Sequence, residues 1–305
     1  MIVVTAGGKY LDIDAYACII AYAELLNLKG EPAAAVSTAV LNDSITPTAR
    51  SISTNFQTEY IASDDDQFVV VDVSEPENLD TIVQLTQILE IIDHHLGNEQ
   101  YWANLNITTD IEFIGAACTQ VYERWVRAGK LGEMSESAAR LLSLGILDNT
   151  LNFNAAVTTQ RDIDAYTALT EHAHAPANWA EQYFRECQVA VERNVSASIA
   201  NDTKQMIFPG YDAELTVGQL AVWDANELLE TIAGYVGEPN HFVNVISIHE
   251  GVNYIIVKDE QLEGFLAKLL GANACPQRSL LSTDRLWLRK EIMKAAIDAN
   301  AKKGK

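Results

Sequence analysis

The chain is poor in positive charge and in cysteine, and it has no long apolar run. Lys and Arg number 21 against 42 Asp and Glu, a formal net charge of −21 at pH 7. A surface built to hold duplex or long single-stranded nucleic acid needs clustered Lys and Arg to displace counterions, so that class is excluded as the main task. An anionic substrate must instead be gripped locally, by a metal ion and a few cations in a pocket, which favours a small phosphate compound. The four cysteines, Cys18, Cys118, Cys187 and Cys275, lie far apart with no Cys-x-x-Cys pair. That spacing opposes a thiolate zinc cluster or a disulfide scaffold and suits reduced core thiols of a cytoplasmic protein. No stretch has the apolar length of a membrane span, and Met1-Ile2-Val3-Val4-Thr5 lacks the basic start of a signal peptide. There are no repeats or low-complexity tracts, and 305 residues suit two compact domains.

What is present begins with Asp93-His94-His95, which ends the apolar run Ile88-Leu89-Glu90-Ile91-Ile92. Two further segments place acids in similar positions. Ile2-Val3-Val4 reads as a first buried strand, followed by Asp12-Ile13-Asp14 just before the helical pattern Ala15 to Leu28, and Val69-Val70-Val71 ends on Asp72. An Asp before a helix is ordinarily an N-cap, and one after a strand ordinarily opens a loop. Recurrence of acids and His after successive strands is what those readings leave unexplained. It gathers carboxylates and imidazole along the edge where open α/β sheets place ligands. Hard oxygen donors mixed with imidazole suit Mn²⁺ or Mg²⁺.

Along the chain, strand patterns at Ile2 to Thr5, Ala34 to Val40, Phe68 to Val71 and Ile91 to Asp93 alternate with helical ones. The helices are expected from Ala15, around Asp80 to Glu90, over Gly115 to Ala128, over Ser135 to Leu144, and from Thr158-Thr159 with Asp162. Right-handed crossovers close these into a doubly wound parallel sheet. Beyond residue 200 the pattern changes. Leu215 to Val222 alternates, Phe242 to Ile248 and Asn253 to Val257 read as a hairpin, and helices are expected over Asp259 to Leu270 and from about Arg289. The fold class is therefore α/β, with a first domain at 1–185, a linker at 186–195 and a smaller mixed domain at 196–305. Lys302 to Lys305 reads as a solvated tail.

Asp12-Ile13-Asp14, Asp72, Asp93-His94-His95 and Gly145-Ile146-Leu147-Asp148-Asn149-Thr150 resemble, in order and spacing, the four motifs of the DHH phosphoesterase superfamily. The C-terminal half looks like the DHHA2 type found in manganese-dependent family II pyrophosphatases and in exopolyphosphatases of the yeast and prune kind. Leu288-Arg289-Lys290 is similar to the Ser-Arg-Lys signature near the end of those chains, and Lys204 falls where they carry a phosphate-binding lysine. The resemblance implies a metal-dependent phosphohydrolase that cleaves a phosphoanhydride, inorganic polyphosphate or pyrophosphate, in a cleft between the domains. It further implies that His95 contacts the phosphate while Lys204, Arg289 and Lys290 neutralise it. A phosphodiesterase acting on short oligonucleotides is an alternative reading, although those relatives usually carry a C-terminal Gly-Gly-Gly-His motif that this sequence lacks.

The departures bear on metal content. Where the pyrophosphatases have a His, four residues before the first Asp of motif I, this chain has Gly8, as in the prune-like members, which also lack the His. Motif IV has Asn149 in place of the Asp before Thr, with an acid one position earlier at Asp148. One metal position thus keeps Asp14, Asp72 and His94, with Asn149 or Asp148 as fourth ligand. The other keeps Asp12 and a shared Asp72. The expectation is one tight Mn²⁺ or Mg²⁺ and a second weak or absent, pyrophosphate being a poorer substrate than longer phosphoanhydrides. A non-catalytic phosphate binder is the other reading of these losses. The partner is a small anionic phosphate compound, neither duplex nucleic acid nor membrane, with a homodimer as the candidate assembly.

Overall fold

The computed structural model describes residues 1–237, 239–275 and 280–303. The chain divides into two compact units, Met1–Tyr183 and Phe184–Lys305.

In the first unit, β1 (Ile2–Thr5), β2 (Tyr10–Leu11), α1 (Ile13–Leu28), β3 (Ala33–Ala35), β4 (Val40–Leu41), α2 (Pro47–Ser51) and β5 (Gln67–Val71) lead to β6 (Ile88–Asp93). Then come α3 (Glu99–Asn104), β7 (Thr108–Ile111), α4 (Ala117–Arg127), α5 (Glu136–Thr150), α6 (Gln160–His172) and α7 (Trp179–Arg193), which begins in the first unit and ends in the second. Five strands form a parallel sheet in the order β3-β1-β5-β6-β7. Central β5 is buried from Phe68 to Val71, the continuous apolar run of a strand covered on both faces. Helix α1 is buried nearly all round, and its small residues Ala15, Ala17, Cys18, Ala21 and Ala23 help α4, α5 and the sheet close on it. Gly145 sets that approach. A Cβ there would lie 2.4 Å from the Cys118 Sγ and 3.0 Å from the Asp14 Cα, so no side chain fits.

Two expectations fail in this unit. The segment 80–90 is not an α-helix; it holds one 3-10 turn at Leu85–Gln87, after another at Pro76–Asn78, and β6 starts at Ile88. The cause is Asp80, whose buried carboxylate accepts from the Thr38 backbone N–H and hydroxyl, each at 2.8 Å, and from the Ile82 N–H at 3.2 Å. An Asp that bonds nearby backbone competes with helix. The expected strand 34–40 is split into β3 and β4. Motif IV is the last turn of α5, which Ser135 caps by accepting from the Ala138 N–H.

The second unit holds α8 (Val195–Asn201), β8 (Thr203–Ile207), β9 (Glu214–Val222), α9 (Leu229–Ala233), β10 (His241–Ser247) and β11 (Val252–Val257). It ends with α10 (Glu260–Leu270), β12 (Asn273–Cys275), β13 (Leu280–Ser282) and α11 (Arg289–Lys303). Its sheet runs β12-β13-β11-β10-β9-β8, with β9 and β10 parallel and the other pairs antiparallel. Both faces are covered. Val243, Val245 and Ile256 join Ile199 and Ile232 on one side, while Phe242, Ile255 and Val257 join Leu262, Leu266 and Ile292 on the other, the alternation a pleated strand imposes. Residues 186–193 of the expected linker are helical within α7. Of the expected tail, residues 302–303 continue α11, while Gly304 and Lys305 lie outside the described residues.

Candidate metal centre

Strand ends and helix starts of the first unit bring the acids together. Asp72 follows β5 with φ +57°, a left-handed conformation that Asp tolerates better than bulkier residues. Its N–H still donates to the Ile92 carbonyl at 2.8 Å, so the carboxylate turns out of the sheet with its backbone fixed. His94 follows β6, and its Nδ1 lies 3.2 Å from the Ile114 carbonyl. A carbonyl only accepts, so Nδ1 carries the proton and Nε2 presents a lone pair. That Nε2 lies 3.3 Å from Asp72 Oδ1 and 3.9 Å from Asp14 Oδ2. Both Asp72 Oδ1 and His94 Nε2 are buried without a hydrogen-bond donor. Two acceptors facing each other in the interior call for a cation, and carboxylate with imidazole is a donor set for Mn²⁺ or Mg²⁺.

Asp14 is held from the far side. Its carboxylate accepts the N–H groups of Ala117 at 2.9 Å and Cys118 at 2.8 Å, at the start of α4, and the side-chain amide of Asn149. Asp12 caps α1 by accepting the Ala15 N–H at 3.0 Å on Oδ1. Burial, chiefly, raises the pKa of Asp12 and raises that of Asp72 well above the ordinary carboxylate range, with neighbouring acids adding to both. Cys18 and Cys118 lie 3.7 Å apart beside Asp14. Burial pushes the Cys18 thiol up to about 12, so it packs as a neutral thiol.

His95 is placed differently from His94. Its Nδ1 bonds the buried Asp93 carboxylate at 2.8 Å, which also accepts the His94 and His95 N–H groups. That bond is the main cause raising the His95 pKa. The imidazole is thereby oriented with Nε2 left for another partner, and its side chain is 53% exposed. Asp12, Asp72 and His95 line one cavity of about 310 Å³ together with Gly7, Lys9, Tyr10 and Asn78.

Residues 2–146 match the DHH family, N-terminal domain. The match lies within the first unit and spans most of it. Among curated relatives, a probable manganese-dependent inorganic pyrophosphatase of Bacillus pumilus is 26% identical over 275 residues, covering 88% of this chain and 86% of the relative. A protein of the same description from Exiguobacterium is 26% identical over 234 residues, covering 74% and 73%. Of solved structures, a Methanococcus jannaschii putative family II inorganic pyrophosphatase superposes with a TM-score of 0.63 at 17% identity over 97% of this chain and all of that one. An exopolyphosphatase-related protein from Bacteroides fragilis gives 0.53 at 13% identity, covering 99% and 92%. At these identities the superpositions speak for the fold alone.

Within the first unit, Asn149 rather than Asp148 touches Asp14. The two are successive residues of a helix, about 100° apart around its axis. Asp148 accepts the Tyr183 hydroxyl at 2.8 Å, and burial pushes its pKa up to about 7. In the second unit, Lys204 on β8 and Lys290 on α11 are exposed. Arg289 is 8% exposed, and its guanidinium donates to the Asp202 carbonyl at 2.6 Å, to the Val217 carbonyl at 3.3 Å and to the Asp202 carboxylate. These bonds anchor α11 to the β8–β9 edge, where Lys204 pairs with Val217. Sequence reasoning assigned no role to Asp93 beyond its place in the motif. Its signal was an acid two residues before an exposed His at a strand end.

Among the described residues no helix is long and apolar enough to cross a membrane.

Proposed function

We propose that the protein is a metal-dependent phosphohydrolase acting on a phosphoanhydride, inorganic polyphosphate or pyrophosphate, with the second unit in the DHHA2 role. The observation that carries the reading is the pair of buried, undonated acceptors, Asp72 Oδ1 and His94 Nε2, 3.3 Å apart. The curated relatives described as manganese-dependent pyrophosphatases support both the metal and the substrate class.

Asp14, Asp72 and His94 would hold one ion, with Asn149 as neighbour. A divalent ion there supplies an acidified water and polarises a phosphoryl oxygen. Asp12, with Oδ1 committed to its helix cap, would contribute from the cavity side. His95, its Nδ1–H directed at Asp93, would as the imidazolium donate from Nε2 to the phosphate or its leaving oxygen. Lys204, Arg289 and Lys290 are proposed as the phosphate-facing cations of the second unit, Arg289 acting from a fixed position because Asp202 already holds it.

Elemental analysis of the purified protein, paired with phosphate release from pyrophosphate, tripolyphosphate and long-chain polyphosphate with Mn²⁺ or Mg²⁺, tests the reading. The expected result is about one tightly held ion per chain and metal-dependent release, faster from the longer substrates. Tight metal with no release from any of the three would establish the non-catalytic phosphate binder instead. Zinc in place of manganese or magnesium would overturn the donor-set argument.

A further inference from the structure

We infer that Lys9 supplies a positive charge from the first unit, beside the metal, by gripping a substrate phosphate group that is not the one cleaved. The inference rests on the proposed phosphohydrolase reading and deepens it, because it concerns how a polyphosphate is held where a second metal is weak or missing.

The first observation is placement. Lys9 lines the same cavity as Asp12, Asp72 and His95, and among the described residues lining it Lys9 is the only lysine or arginine. The chain is pinned on both sides of it. Gly8 donates its N–H to the Asn78 carbonyl at 2.9 Å and Gly7 bridges Leu79. On the other side, Tyr10 and Leu11 pair with Val40 and Leu41. A lysine whose backbone is fixed at a cavity wall keeps its ammonium within a side chain's length of that cavity.

The second observation is steric. A Cβ at Gly8 would stand 3.0 Å from the Leu79 carbonyl oxygen and 3.1 Å from the Asp80 Cα. Both are backbone atoms, and the segment is tied down by the Asp80 carboxylate's bonds to Thr38. This loop therefore has little room for a metal-binding side chain at position 8, while the next residue carries a cation into the same cavity.

The third is charge. The cavity wall carries Asp12, Asp72 and Glu75 as acids, and the chain as a whole carries −21. One dication offsets the acids that bind it and leaves little surplus for a phosphate with several anionic oxygens. An ammonium on a flexible stem suits that task as a point charge with three donors. It cannot acidify water as a metal does, so its contribution is to binding and falls on KM rather than kcat.

The test is Lys9→Gln and Lys9→Arg in the full chain, with three readouts. Mn²⁺ stoichiometry is measured first, then calorimetric binding of the non-hydrolysable imidodiphosphate to the Mn²⁺-loaded protein, then KM and kcat for tripolyphosphate. The expected result for Lys9→Gln is unchanged Mn²⁺ content, imidodiphosphate bound about 10-fold or more weakly, and KM raised by a similar factor with kcat nearly kept, Lys9→Arg recovering most of the affinity. Unchanged imidodiphosphate affinity in Lys9→Gln overturns the inference while leaving the phosphohydrolase reading intact. If the parent protein releases no phosphate, that reading falls, and the imidodiphosphate titration still decides whether Lys9 grips phosphate. Loss of Mn²⁺ in Lys9→Gln would also overturn it, by making Lys9 part of the metal site's support.

Discussion

The two sides of the candidate metal site differ in how completely the chain has built them. On one side, Asp14, Asp72 and His94 come from a helix start and two strand ends. Each is fixed by backbone bonds, from Ala117 and Cys118 to Asp14, from Asp72 to Ile92, and between His94 and Ile114. The atoms left over are buried acceptors that lack a donor. On the other side, Asp12 spends one oxygen on capping α1, and position 8 is a glycine with backbone against it. The first side is costly without an ion and the second is not. Unsatisfied acceptors in the interior therefore mark a binding site more sharply than a count of acids does.

The largest effect should come from Asp72. Replacing it with Ala removes the only carboxylate among the described residues that faces His94 Nε2 within 3.5 Å, so metal-dependent turnover should fall more than about 100-fold, beyond what outer-shell partners typically contribute. Tight Mn²⁺ should vanish from elemental analysis. The same variant should fold, and without metal at neutral pH it should unfold at a higher temperature than the parent, since a carboxylate buried among acids is gone. A variant that keeps its Mn²⁺ would break the contrast between the two sides.

Titration gives a second, smaller handle. In the metal-free protein the pKa values of Asp12, Asp72 and Asp148 are raised, chiefly by burial, Asp148 to about 7. A carboxylate whose folded pKa exceeds its unfolded one favours the folded state most when protonated, and that contribution is lost as pH rises through the folded value. The raised pKa of His95 acts in the same direction. Metal-free protein should thus lose thermal stability between about pH 4 and about pH 8. Saturating Mn²⁺ should restore it, by about 2.7 kcal/mol at 100 times Kd. Asp66 and Glu112, with lowered pKa values from the Ser63 N–H and from Arg161 respectively, act only at more acid pH. A flat profile across the window would show that the acids are solvated rather than confined.

Much of this was legible in the sequence for a physical reason. Buried parallel strands leave continuous apolar runs, so the residues ending them, Asp72 and Asp93-His94-His95, announce a sheet edge without any knowledge of the partners. The hairpin of the second unit, β10–β11, was legible through its own alternation. What was hidden depends on contacts distant in the chain. Asp80 looks like one more helix residue until Ser37 and Thr38 are brought to it. Arg289 reads as a free cation at the start of a helix until Asp202 closes on it. Motif IV is apolar up to Leu147 and polar after it, a pattern that a strand and the end of a buried helix share. Only the helix puts Asn149, and not its neighbour, against Asp14.

That last distinction yields the smallest and most discriminating test, Asn149→Asp. The Asn149 amide now donates to an Asp14 oxygen that lies 3.9 Å from His94 Nε2. A carboxylate in its place would remove that donor and set two like charges side by side, so metal-free protein should melt at a lower temperature than the parent at pH 8. With an ion present the same carboxylate becomes an added hard oxygen ligand, and Mn²⁺ should bind about 10-fold more tightly. The gap between metal-loaded and metal-free melting temperatures should widen on both counts. Asp148→Asn, made in parallel, should leave Mn²⁺ affinity nearly unchanged, because Asp148 is engaged with the Tyr183 hydroxyl. If instead Asp148→Asn weakens Mn²⁺ binding while Asn149→Asp does not tighten it, the fourth ligand is Asp148. The last turn of α5 must then rotate when metal binds, and the well-built side of the site is finished only by the ion itself.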